Sequence, residues 1–191
     1  MKTEIPRRYA DAHLSRIELE EKYSYIVIQW YKTGKNICFY SGNAGIGKTY
    51  LCYAVYGCLL DDKQNVRFFE ERNFFNHLRS VIKEGWDYEQ EIKRLCETDW
   101  FILDDIGSGQ ITDWQKEVLF SLVDNRYSSE KPTLITSNLS VRDLKNTYGE
   151  RFASRIASSS STILELKGYD RRQIEPLERV ELKYNATKQE G

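Results

Sequence analysis

The stretch NICFYSGNAGIGKTYLCYAVYGCLL, residues 36–60, decides how the chain folds. Asn36 to Tyr40 is short, apolar and rich in β-formers, whereas Lys48 to Leu60 places Leu51, Val55 and Cys58 on one helical face. Between them lies GNAGIGKT, Gly42 to Thr49, which fits G-x-x-x-x-G-K-[ST] residue for residue. Strand, glycine-rich turn and helix in that order make a phosphate cradle. The glycines let successive amides turn inward, and the helix N-terminus favours anions. The candidate ATP contacts are Gly42, Asn43, Ala44, Gly45, Ile46, Gly47, Lys48, Thr49 and Tyr50, with Lys48 expected on the β and γ phosphates and Thr49 on Mg2+. A purely structural turn gives no reason for Lys48-Thr49.

Working outward, Val66 to Phe69 reads as a second strand. Phe74, Leu78, Val81 and Ile82, and then Tyr88, Ile92, Leu95 and Cys96, recur at helical spacing on either side of Gly85. Trp100-Phe101-Ile102-Leu103 is an unbroken apolar run, the mark of a strand buried on both faces, and it ends in Asp104-Asp105. A helix from about Asp113 to Tyr127, a strand from Thr133 to Ser137, two short helices between Val141 and Ile156 broken near Gly149, and a strand from Thr162 to Leu166 complete the pattern. Strands alternating with helices predict an α/β fold: a three-layer αβα sandwich on a five-stranded, mostly parallel sheet. The expected division is a lead-in segment and first helix over 1–35, a core over 36–176, and a charged tail over 177–191.

A phosphate cradle needs carboxylates opposite it. Asp104, at the end of a buried strand, is the candidate to share Mg2+ with Thr49. Asp105 is the candidate to orient or deprotonate the attacking water. Asn138, closing Thr136-Ser137-Asn138, is a candidate amide for that water or the γ-phosphate; by itself it reads as a turn former or helix cap.

The chain has 191 residues with 28 basic and 29 acidic side chains, a net charge of −1, so it has room for one domain and no positively charged coat. Cys38, Cys52, Cys58 and Cys96 form no Cys-x-x-Cys pair, and with only His13 and His77 beside them zinc-type spacing is absent. No window approaches the roughly 20 apolar residues of a membrane span, and Met1-Lys2-Thr3-Glu4 opens onto no signal core. A soluble, cytoplasmic protein with no membrane partner is expected.

The phosphate loop, Trp100 to Gly107, Arg126-Tyr127 followed by Pro132 to Leu139, and Gly149 to Ile156, taken in order, resemble the DnaC/IstB branch of the AAA+ ATPases. Ile5-Pro6-Arg7-Arg8-Tyr9 is similar to the lead-in of DnaC-type helicase loaders, and Gly168 to Arg172 to the family's closing motif, with Arg172 the matching arginine. The resemblance implies an ATPase with Asp104 as magnesium carboxylate, Asn138 as nucleotide-sensing residue, and Arg155, or its neighbour Arg151, as an arginine finger acting on an adjacent subunit. Sequence physics alone reads Arg151 and Arg155 as a helix-surface pair at four-residue spacing. Where the family usually has Glu the chain has Asp105, which implies slow hydrolysis. A separate N-terminal partner-binding domain and a C-terminal lid are not expected.

The implied partners are a replicative hexameric helicase, single-stranded DNA and further copies of the chain in a homo-oligomer or ATP-dependent spiral. The region expected to meet DNA carries Arg72, Arg79, Lys83, Lys93 and Arg94 with aromatic Phe74, Phe75, Trp86 and Tyr88, although an amphipathic helix pair with its aromatics in the core accounts equally well for the pattern. Two alternatives stand beside the loader: an IstB-like transposition helper favouring duplex DNA, and a weakly hydrolysing, nucleotide-gated adaptor or inhibitor of a helicase.

Overall fold

The computed structural model describes residues 4–16, 21–34 and 36–166. Gly168 to Arg172 and the charged tail lie outside the described residues. Five strands, β1 (Ile37–Gly42), β2 (Val66–Glu70), β3 (Trp100–Ile106), β4 (Thr133–Ser137) and β5 (Thr162–Leu166), form one sheet in the order β2-β3-β4-β1-β5. Every pairing is parallel. Buried-on-both-faces sequences such as Trp100 to Leu103 are what a parallel sheet requires, since its crossover helices cover both sides.

Those helices are α1 (Glu21–Thr33), α2 (Lys48–Asp61), α3 (Glu71–Lys83), α4 (Tyr88–Glu97), α5 (Asp113–Ser128), α6 (Val141–Tyr148) and α7 (Glu150–Ile156). Strand alternation sorts the core into two layers. Cys38, Tyr40, Ile102 and Leu134 pack with Leu51 and Val55 of α2, while Ile37, Phe39, Phe101, Leu103 and Ile135 pack with Phe74, Leu119 and Phe152 from the helices of the opposite face. The lead-in segment docks on the first layer. Tyr9 stacks on Tyr53 at 4.5 Å, and Tyr53 in turn on Phe68 at 4.6 Å.

Two features position the site. Strand order places β4 between β1 and β3, so its C-terminal end lies between the phosphate loop and Asp104-Asp105, at the point where α/β sheets bind ligands. β3 also carries a bulge: Leu103 pairs with Ile135 but Ile106 pairs with Ser137, three steps against two. Ile106 therefore joins Leu103 in the second layer instead of facing α2. Asp105 is the extra residue, at φ 57.

At the other end of the same strands, Arg126 of α5 is wholly buried. Its guanidinium donates to Thr133 Oγ1 at 2.8 Å and to the carbonyls of Leu95, Cys96, Thr98, Asp99 and Pro132. It thus closes the C-terminus of α4 and ties the starts of β3 and β4 together. Burial lowers its pKa to about 10.

Candidate nucleotide site

The phosphate loop leaves β1 and enters α2 through Gly47 at φ 102, where a Cβ would meet nothing within 4 Å. Conformation, not space, therefore makes this position a glycine. Leu51 donates the first helical hydrogen bond, to Gly47 O at 3.0 Å, so the amides ahead of it sit at the positive end of the helix dipole. Lys48 is buried, and its ammonium donates to the carbonyls of Gly42 and Asn43 at 2.8 Å each. The charge is held inside the loop and its field reaches Asp105.

Asp104 is 1% exposed on the α2 side of the sheet. Its Oδ1 accepts hydrogen bonds from the Thr136 hydroxyl and, at 3.4 Å, from the Cys52 thiol. Thr136 Oγ1 also accepts the Asp105 amide at 2.9 Å, so one β4 hydroxyl fixes both carboxylate residues across the bulge. Asn138 Nδ2 donates to Asp105 Oδ1 at 2.9 Å. Burial, then the neighbouring Asp104 charge, push the Asp105 carboxyl above the ordinary range, against Lys48, Ser108 and Asn138, which pull it down. Glu70, ending β2, is raised by burial and by both aspartates.

Lys48, Asp104, Asp105 and Asn138 are thus brought together. Thr136 and Cys52 were missed; a threonine mid-strand and a cysteine mid-helix carry no signal in sequence. The donor set suits a triphosphate and a hard cation: loop amides at a helix N-terminus, one buried ammonium, the Thr49 hydroxyl and carboxylate oxygens. Among the described residues no cluster of three or more His, Cys, Asp or Glu could hold a metal ion.

Arg151 and Arg155 lie elsewhere, on α7 against α5. Arg155 Nε donates to Asp124 Oδ1 at 2.5 Å and its guanidinium lies 5.3 Å from the Tyr127 ring centroid. Arg151 sits over the Phe120 ring at 4.2 Å. Both arginines have partners within their own chain.

The α3–α4 region corrects part of the DNA expectation. Phe74 and Phe75 are core residues, because α3 must cover the hydrophobic face of β3, and no ring face is left for a base. Tyr88 packs edge-on against Trp114 at 6.0 Å. Trp86 is 61% exposed. Arg72 and Arg79 line an open cleft of 440 Å³ between α3 and the loop of residues 108–111.

A parallel sheet in this order, with a glycine-rich phosphate loop after β1, paired aspartates after β3 and a polar residue after β4, defines a P-loop ATPase domain of the AAA+ type. The chain belongs to the family described as IstB-like ATP binding protein, whose model matches residues 19–159. It is 32% identical over 124 residues to the protein YdaV of Escherichia coli (strain K12), covering 65% of this chain and 50% of YdaV. It is 26% identical over 123 residues to the replicative helicase loader DnaC of the same strain, covering 64% of this chain and 50% of DnaC. The chain therefore spans about half the length of these relatives. Among solved structures it superposes on a crystal structure of the DnaC helicase loader with a TM-score of 0.72 at 27% identity, covering 85% of this chain and 100% of that one. No helix among the described residues is long and apolar enough to cross a membrane.

Proposed function

We propose that the protein is an ATP-hydrolysing replicative helicase loader of the DnaC kind, which assembles in the presence of ATP and grips single-stranded DNA. The observation that carries this reading is the match to the DnaC helicase loader along the whole of that solved chain. Lys48 supplies fixed positive charge to the β and γ phosphates. Asp105, anchored by Asn138, orients the attacking water. Magnesium held by Thr49 and Asp104 would neutralise charge on the same phosphates. Asp105 is one methylene shorter than glutamate, which favours slow turnover suited to a timer.

In this reading Arg155, or Arg151 beside it, leaves its α5 partners to stabilise transition-state charge in a neighbouring subunit. Arg72, Arg79 and exposed Trp86 supply phosphate contacts and a stacking surface for a single strand. The test is to mix the purified chain with MgATP, a replicative hexameric helicase and a closed circular single strand. Loading is expected to require ATP and to fail with Lys48→Ala; no helicase transfer to the circle rejects it. Family membership favours a second reading, an IstB-like transposition helper. Tighter ATP-dependent binding to duplex than to single-stranded DNA at one salt concentration selects that helper, whereas the reverse preference selects the loader.

A further inference from the structure

Glu71, the first residue of α3, is 8% exposed, yet it belongs to no part of the nucleotide constellation. Both of its oxygens are engaged. Oε2 accepts the Gly107 amide at 3.1 Å and Oε1 accepts the Tyr148 hydroxyl at 2.6 Å. Gly107 lies two residues beyond Asp105, and both have positive φ, 79 and 57. The Asp105 turn is therefore pinned at two points: ahead by its own amide on Thr136, and behind by the Gly107 amide on Glu71. A left-handed aspartate held between two such anchors points its carboxyl in one direction. Between these anchors the Ile106 carbonyl accepts the Ser137 hydroxyl at 2.7 Å, which holds β3 to β4 but makes no contact with the Gly107 amide. Glu71 also opens the helix whose next turns, Arg72, Asn76 and Arg79, line the cleft facing residues 108–111. The Glu71 carboxylate thus links the start of α3 to the Asp105 turn.

We propose that Glu71 is a positioning residue for Asp105, fixing its turn through the Gly107 amide and making hydrolysis responsive to what occupies the cleft along α3. This rests on the ATPase and single-strand reading above. It is tested by steady-state MgATP hydrolysis of wild type, Glu71→Ala, Glu71→Gln and Tyr148→Phe, with nucleotide affinity titrated separately. Glu71→Ala is expected to lower kcat at least tenfold while MgATP affinity stays within twofold. Glu71→Gln, which keeps an oxygen for the Gly107 amide, is expected to retain at least half of kcat. Tyr148→Phe preserves the ring stack on Phe152 at 4.9 Å and is expected to lower kcat at least threefold, which carries the test should Glu71→Ala not fold. Unchanged kcat in Glu71→Ala or Tyr148→Phe, equal losses in Glu71→Ala and Glu71→Gln, or affinity falling in step with kcat overturns the proposal.

Oligothymidylate is expected to change wild-type kcat, and that response to vanish in Glu71→Ala at unchanged oligonucleotide affinity; a persisting response overturns the proposal. A wild type that binds no oligonucleotide, or turns over no ATP, rejects the function reading instead. Glu71 is then judged by amide exchange of residues 106–108, expected to be at least tenfold faster in Glu71→Ala and near wild type in Glu71→Gln. Equal exchange in all three overturns the assignment.

Discussion

Replacing Gly107 by alanine perturbs the Asp105 turn through two separable terms. An added Cβ would lie 2.4 Å from Leu139 Cδ1 and 3.1 Å from its Cγ, on a backbone at φ +79. The left-handed conformation costs alanine about 1–2 kcal/mol. Overpacking costs about 1–3 kcal/mol, towards the low end here because Leu139 is only half-buried and can turn. Alanine's stiffer unfolded chain returns about 0.4–1 kcal/mol. The net loss expected from urea unfolding is therefore about 1–3 kcal/mol, a fall in Tm of roughly 2–10 °C. Leu139→Ala in the same background removes the clash and leaves the dihedral strain, so a double-mutant cycle is expected to show about 1 kcal/mol or more of coupling between the two sites. A cost below about 0.5 kcal/mol for Gly107→Ala, or the same cost with and without the Leu139 side chain, refutes the reasoning.

Asp105→Asn is expected to bind MgATP but lose turnover by roughly 100-fold or more, measured by phosphate release. The same change should raise Tm at neutral pH. A carboxyl whose folded pKa is raised destabilises the fold as pH climbs from the unfolded carboxylate range through the folded value, so the gain is present at pH 7 and vanishes below about pH 4. Arg126→Met removes the guanidinium donors to the buried carbonyls of Leu95 and Thr98; at about 1–3 kcal/mol each, less the relief of desolvating a guanidinium, a loss of about 2 kcal/mol or more is expected by urea titration. Mixing Lys48→Ala with Arg155→Ala should restore ATPase activity that neither variant shows alone; no restoration with both folded rejects a finger acting between subunits.

The legible parts of this molecule are those where local chemistry repeats or runs consecutively. Gly42 to Thr49 is one continuous motif, and the strands and helices follow from short apolar, β-rich runs and helical spacing that the core layers accommodate. Asp104 and Asp105 were legible because an apolar run stops on them. The bulge that separates their directions was not, since one inserted residue leaves no trace in composition, and it is Thr136 across the ladder that reveals it. Buried charge is hidden in the same way. Arg126 at a helix end and Glu71 in the run Glu70-Glu71-Arg72 carry no sign of burial in sequence, and three-dimensional closure of α4, β3, β4 and α6 around them supplies their partners. Phe74 and Phe75 show the reverse: a pattern compatible with base stacking or with core, settled by the sheet face that α3 has to cover.

The central claim is that the Gly42–Thr49 loop closes on a triphosphate whose metal Thr49 shares with Asp104. Titration calorimetry of ATP into the folded protein, with and without magnesium, tests it most directly. A single saturable heat that depends on magnesium and disappears in Lys48→Ala is the expected result. Wild-type protein that is folded yet gives no heat with MgATP, or Lys48→Ala that binds as tightly as wild type, contradicts the claim.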